Sequence, residues 1–130
     1  MPHIGLTVLV VRDYDEAIAF YVNALGFDLR EDTALPDGKR WVVVAPPGAR
    51  EGGLLLARAD GEAEEARVGD QTGGRVGWFL NTDDFGRDHA RMLAAGVVFE
   101  EEPRREAYGT VAVFRDLYGN RWDLIQLREQ

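Results

Sequence analysis

Apolar and polar positions fall into two blocks along this chain, and each block predicts the same order of elements. Residues 4–11 are apolar and rich in β-branched side chains, which predicts a buried strand. Asp13, with Glu16 three residues on, makes a capping-box-like helix start. Ile18, Tyr21, Val22 and Leu25 then recur at i, i+3, i+4 and i+7 and give that helix an apolar face. Gly26 supplies its left-handed stop. Three further strands are predicted over 27–33, Arg40–Ala45 and 53–59, with turns at Pro36-Asp37-Gly38 and Pro46-Pro47-Gly48.

Residues 59–74 lack clear periodicity, carry Glu62, Glu64 and Glu65, and end in Gly73-Gly74; they read as a linker with room for a short helical turn. The order then begins again. A strand over 75–82 precedes a helix that starts at Asp83, carries Phe85, His89, Met92 and Leu93 on one face, and ends at Gly96. Strands over 97–102, 110–115 and Arg121–Leu127 follow, with turns at Tyr108-Gly109 and Tyr118-Gly119-Asn120. Asp13 and Asp83, like Gly26 and Gly96, are offset by 70 positions; Gly38 and Gly109, like Gly48 and Gly119, are offset by 71. Turn markers in register at one spacing imply an internal duplication. One domain spanning 1–130 is expected, with module one at about 1–58, the linker at about 59–74 and module two at about 75–130.

Two β-α-β-β-β modules define an α+β fold in which each module rolls a sheet into a half-barrel with its helix outside, and the two enclose a cup suited to a small molecule. The run Arg12-Asp13-Tyr14-Asp15-Glu16-Ala17-Ile18-Ala19-Phe20-Tyr21, followed by Ala24-Leu25-Gly26-Phe27, is similar to the first-half signature of the vicinal oxygen chelate superfamily. That superfamily includes glyoxalase I, extradiol dioxygenases, fosfomycin-modifying enzymes and bleomycin-binding proteins. Arg115-Asp116-Leu117-Tyr118-Gly119-Asn120-Arg121-Trp122-Asp123-Leu124 resembles its closing hairpin. The resemblance covers nearly the whole chain apart from the linker.

In metal-dependent members of that superfamily the cup floor carries His and Glu ligands on the first, fourth, fifth and eighth strands. Carried over one at a time, these positions fall at Leu6, near Ala57, at Gly77 and at Asp123. Asp123 alone has a donor side chain, so neither a metal nor another cofactor is expected. Strand alternation then turns Leu6, Val8, Gly77, Phe79, Asn81, Asp123 and Ile125 into the cup, with Trp41 a candidate for its rim. Gly77 leaves room for a flat ligand to approach the backbone. Trp78 and Trp122 face the helices by the same parity, His89 packs beside Phe85 and Met92, and His3 is an exposed terminal residue.

Composition narrows the chemistry further. The chain has no cysteine and no serine, which excludes disulfides, thiolate ligands and Ser- or Cys-based acyl transfer. Its formal charge of −8 disfavours nucleic acid and favours a cationic over an anionic partner. No apolar run is long enough to span a bilayer, and the first residues lack the pattern of a signal peptide, so the cytoplasm is the expected compartment. Lys39 is the only lysine among many arginines, a bias typical of a GC-rich bacterial genome.

The leading expectation is a metal-independent protein that binds a small organic molecule, cationic or aromatic, and sequesters or carries it. The resemblance to the bleomycin-binding members implies a homodimer. The alternative is a lyase, isomerase or dioxygenase of the same superfamily, either metal-dependent or using Asp123 as the catalytic acid or base. A third reading, a regulatory module that works through its surface, finds no exposed apolar stripe to support it.

Overall fold

The computed structural model describes residues 1–129. The chain divides into two compact units, the first spanning Met1–Gly69 and the second beginning at Asp70.

In the first unit, β1 (Leu6–Val11), α1 (Tyr14–Ala19), β2 (Asp28–Ala34), β3 (Arg40–Ala45) and β4 (Gly53–Arg58) build a sheet of order β1-β4-β3-β2. β1 and β4 pair in parallel, and the other neighbours are antiparallel. Leu9, Val11, Val42, Val44 and Leu56 are buried on the face that carries α1. The Asp13 carboxylate caps α1 by accepting the Glu16 N–H at 2.9 Å. The helix then widens over Phe20–Ala24 into a π-helical stretch, where Leu25 N–H reaches back to the Phe20 carbonyl. Widening the turn brings residues four apart into line. Ala17, Tyr21 and Leu25 are therefore buried, whereas Ile18 and Val22 of the expected apolar face stay half-buried. Tyr14 is held between the Arg40 and Arg58 guanidiniums, each 5.2 Å from its ring centre.

A short helix, α2 (Glu62–Glu65), lies within the segment between the two blocks of strands. The second unit then repeats the first. β5 (Val76–Asn81), α3 (Phe85–Ala94), β6 (Val98–Phe99), β7 (Arg104–Glu106), β8 (Gly109–Arg115) and β9 (Arg121–Leu127) build a sheet of order β5-β9-β8-β6, with β7 also on β8. β5 and β9 pair in parallel, as β1 and β4 do. The cap of α3 is Asp84, one residue later than the sequence pattern indicates, and its carboxylate accepts the Arg87 N–H at 3.0 Å. Within α3, Phe85 and Met92 are buried while Leu93 is exposed.

The strand expected over 97–102 is split in two. Glu100 N–H still donates to the Val113 carbonyl at 2.9 Å. The chain then leaves the ladder ahead of Pro103, which has no N–H to offer. Glu101 Oε2 accepts the Val113 N–H at 2.9 Å in place of a backbone carbonyl, and pairing resumes at Arg104 opposite Val111.

Two turn residues secure this unit. Gly109 sits at φ 151°, and a Cβ there would overlap the Gln126 carbonyl. The Asp116 carboxylate is buried in the 116–120 turn. Its Oδ1 accepts the N–H groups of Tyr118, Gly119 and Asn120, and its Oδ2 accepts the Asn120 side-chain amide. The D-x-x-G-N run thus uses its aspartate to build the turn. Among the described residues, no helix is long and apolar enough to cross a membrane.

Candidate functional site

Each sheet has a second face, opposite its helix, and the polar group of most interest lies on that face of the second unit. Strand pairing sets Phe79, Asp123 and Val113 side by side across β5, β9 and β8, with Asn81, Ile125 and Val111 in the next row. Phe79 is 64% exposed and Asn81 is exposed, whereas Ile125 retains 7% of its surface and lies under the others. Asp123 is half-buried, and its Oδ1 is shielded from solvent with no hydrogen-bond donor among the described residues.

A carboxylate oxygen in that position is costly to leave charged. Burial pushes the Asp123 carboxyl above the ordinary aspartate range; Arg104 and Arg121 pull against that shift and Glu101 reinforces it. Arg104 does not bond Asp123. It donates from Nε to Glu101 Oε1 at 2.8 Å instead. Burial raises the Glu101 carboxyl too, but the Arg104 bond and the Val113 amide outweigh burial and hold it below the ordinary glutamate range. Arg121 is engaged elsewhere, by Glu100 and by the Gly74 carbonyl. Arg104, like Tyr108, reads in the sequence as a residue near the last turns that could gate a pocket, on loop position alone, whereas nothing in the sequence pattern picks out Glu101 itself. The one signal near Glu101 is Pro103, immediately after the strand predicted over 97–102, which marks an edge or a break.

On the first unit, Leu6, Val8 and Trp41 lie on the face away from α1. Val8 is opposite Leu55, which is opposite Val43, and Trp41 is two residues from Val43 on the same strand. All three residues are exposed, Trp41 at 38%. A cavity of about 240 Å³ opens beside Leu6, lined by Val43, Ala45 and Gly53, with His3, Arg30 and Arg50 among its polar neighbours.

Gly77 answers to a different neighbour from the one expected. It sits at an irregularity in the β5–β9 pairing, and a Cβ there would come within 2.8 Å of the Thr72 methyl. The space above Gly77 is taken by Thr72, whose hydroxyl donates to the Arg75 carbonyl at 2.5 Å.

The face that carries α3 holds a continuous run of rings. Trp78 stacks on Trp122 at 5.2 Å, and contacts continue from Trp122 through Phe114, Phe99 and His89 to Phe85. His89 is therefore a packing residue, stacked on Phe85 with ring centres 5.3 Å apart. A cavity of about 570 Å³ also opens on this side, between the start of α3 and Arg105 and Arg128. It is larger than the space at Leu6, but it lies on the opposite side of the sheet from Asp123.

The residues present do not fit the metal centre that related folds can hold. The β1–β4 pairing sets Leu6 against Gly53, with Leu55 and Ala57 farther along, and none of these four side chains can donate to a metal. Gly77 cannot either, which leaves Asp123 by itself. Among the described residues, no group of three His, Cys, Asp or Glu side chains is placed to hold a metal ion.

Comparison with known proteins agrees with this architecture. The sequence matches the family model of the Glyoxalase/Bleomycin resistance protein/Dioxygenase superfamily over residues 2–124. An uncharacterized protein of Shewanella frigidimarina (strain NCIMB 400) is 58% identical over 123 residues, 94% of this chain and 91% of that one. Among solved structures, UcmS2 is similar with a TM-score of 0.84 and 30% identity, over 96% of this chain and 98% of its own. TnmS3, described as an antibiotic binding protein from Streptomyces sp. CB03234, is similar with a TM-score of 0.79 and 33% identity, over 98% of each chain.

Proposed function

Because the chain belongs to the glyoxalase/bleomycin resistance protein/dioxygenase superfamily, we propose that it is a metal-independent binding protein for a small organic molecule, which it sequesters or carries. The observation that carries this reading is Asp123, a shielded carboxylate oxygen without a donor, set beside the exposed ring of Phe79. An apolar platform with one orienting polar group is what recognition of an organic ligand requires. Within the first unit by itself, Leu6, Val8 and Trp41 are likewise exposed apolar side chains. The similarity to TnmS3, an antibiotic binding protein, supports the same class of ligand. The charge of −8 and the acidic acceptor favour a cationic, planar molecule.

In this reading the protein is a bacterial homodimer that works in the cytoplasm, a compartment consistent with a chain free of cysteine. The test is a tryptophan-fluorescence titration with proflavine, a planar aromatic cation, and with bleomycin. Saturable quenching by at least one is expected, weakened about tenfold in Asp123→Asn through loss of a charge-assisted hydrogen bond. Absence of saturable binding to both probes would sink the proposal.

The raised carboxyl of Asp123 favours one second reading, that of an acid or base moving a proton next to a carbonyl. On that reading Asp123→Asn binds a carbonyl ligand normally but no longer exchanges its adjacent hydrogen for deuterium in D2O. Undiminished exchange in the variant removes Asp123 from such chemistry.

A further inference from the structure

We propose that Glu101 is the specificity-determining residue of the Asp123 site: by holding the Arg104 guanidinium, it reserves the Asp123 carboxylate for a ligand that brings its own positively charged or N–H donor. This rests on the reading above that Asp123 faces the ligand.

The geometry is that of a cation kept one strand away from an acceptor it could otherwise satisfy. Val113 is the residue opposite Asp123 on β8, and Glu101 grips Val113 N–H from the other side of that strand. Arg104 enters opposite Val111, in the row next to Asp123, so its side chain belongs to the same face. Glu101 therefore makes two bonds with its two oxygens, one to the backbone of β8 and one to Arg104. The first fixes the carboxylate in place. The second uses the fixed carboxylate to turn Arg104 aside.

The remaining surroundings of Asp123 offer no substitute donor. On its own strand, Arg121 is taken by Glu100, which Arg115 also bonds. On β5, Phe79 carries no donor and Asn81 lies in the following row, opposite Ile125. Val113 on β8 has given its N–H to Glu101. The charged groups that act on Asp123 are thus Glu101 from the β6–β7 connection, Arg104 at the start of β7 and Arg121 from β9. An anionic ligand would meet Asp123 and Glu101 together, with Arg104 already neutralised. A cationic ligand would complete the arrangement.

The experiment compares the full-length protein with its Glu101→Gln and Arg104→Gln variants, and with the double variant, by carbon-detected NMR titration of the Asp123 carboxyl and by proflavine binding. Glutamine keeps an acceptor for Val113 N–H but removes the charge that bonds Arg104 Nε, leaving Glu106, 3.8 Å from Arg104 Nη1, and Tyr108 beside the guanidinium. Loss of the Glu101 charge by itself lowers the Asp123 midpoint. The turn of Arg104 to Asp123 is therefore read as a fall in Glu101→Gln, against wild type, larger than that in the Glu101→Gln/Arg104→Gln double variant, against Arg104→Gln. About tenfold weaker proflavine binding is expected in Glu101→Gln alone. Arg104→Gln should move the midpoint up and leave proflavine binding at least as tight. A Glu101→Gln variant whose Asp123 midpoint and proflavine affinity match the wild type overturns the proposal. So does a fall of the same size in both backgrounds, or a midpoint that also falls in Arg104→Gln, since Arg104 would then not be the group released. Should the wild-type protein bind no proflavine, the binding reading fails separately, and the carboxyl titrations still decide whether Glu101 governs Asp123.

Discussion

Replacing Asp123 with asparagine should make the protein more stable at neutral pH while weakening what it binds. Asparagine has the same shape, is neutral at every pH, and can place its amide oxygen where the shielded Oδ1 now lies. In the folded chain burial raises the Asp123 carboxyl above its ordinary value, which the unfolded chain keeps. The sign follows directly: Asp123 favours the folded state fully at pH below the ordinary aspartate value, and that contribution is lost as pH rises through the raised one. At neutral pH the ionised side chain is therefore a net cost. An unmade bond to a buried charged acceptor costs about 1–3 kcal/mol. Partial exposure and the pull of Arg104 and Arg121 reduce this, so about 1 kcal/mol is the expected gain, or roughly 3–5 °C in Tm for a chain of this size. Thermal melts followed by circular dichroism near pH 7 and again near pH 3 measure it, with the wild-type-to-variant gap closing at the acid end. A variant less stable than wild type at neutral pH, or a gap that does not change with pH, would refute the reasoning.

Two other substitutions test the surroundings of the site. Asp116→Ala strips the acceptor from three backbone amides and the Asn120 side chain, and should cost about 3–4 kcal/mol in chemical denaturation; a loss under about 1 kcal/mol would show that the turn holds without its carboxylate. Gly77→Ala pushes a methyl against Thr72 and should cost about 1–3 kcal/mol by overpacking. Thr72→Ser removes the opposing methyl but keeps the hydroxyl that bonds Arg75, so the double variant should recover at least half of that loss. Strictly additive effects would mean the space above Gly77 does not belong to Thr72.

The strands were legible in the sequence because alternation and turn residues are local signals. Arg40–Ala45 and Arg121–Leu127 have the bounds that pattern alone indicates, and parity alone sets Trp122 and Asp123 on opposite faces of β9. The failures share a cause. An α-helical period misplaces the apolar face that begins with α1, because the helix continues as a π-helical stretch, and a single change of hydrogen-bond partner rotates which residues are buried. The strand over 97–102 looks continuous in the sequence because apolar residues begin it. Its break depends on the side chain of Glu101, in the β6–β7 connection, taking the place of a carbonyl beside β8. Gly77 looks like open space in the sequence because nothing local reveals that Thr72, five residues earlier, folds back over it. Events of that kind depend on neighbours brought together by the fold, and one-dimensional periodicity carries no trace of them.

Asp116 and Asp123 make the same point about function. Both belong to the closing hairpin, Asp116 at the start of its turn and Asp123 on the strand that follows. Asp116 has its two oxygens engaged by the turn it builds, so all of its binding capacity is spent inside the chain. Asp123 has a shielded oxygen that no described residue serves, although a guanidinium lies on the same face. If an unserved acceptor were a mere accident of packing, Arg104 would be the natural remedy, because an arginine carries enough donors to bond two carboxylates at once. Instead Arg104 is bonded to a glutamate that is itself anchored to the backbone. A fold that fixes the available cation away from a buried acceptor maintains that acceptor in a state which costs stability. Such a cost is most simply offset when something other than the chain supplies the donor.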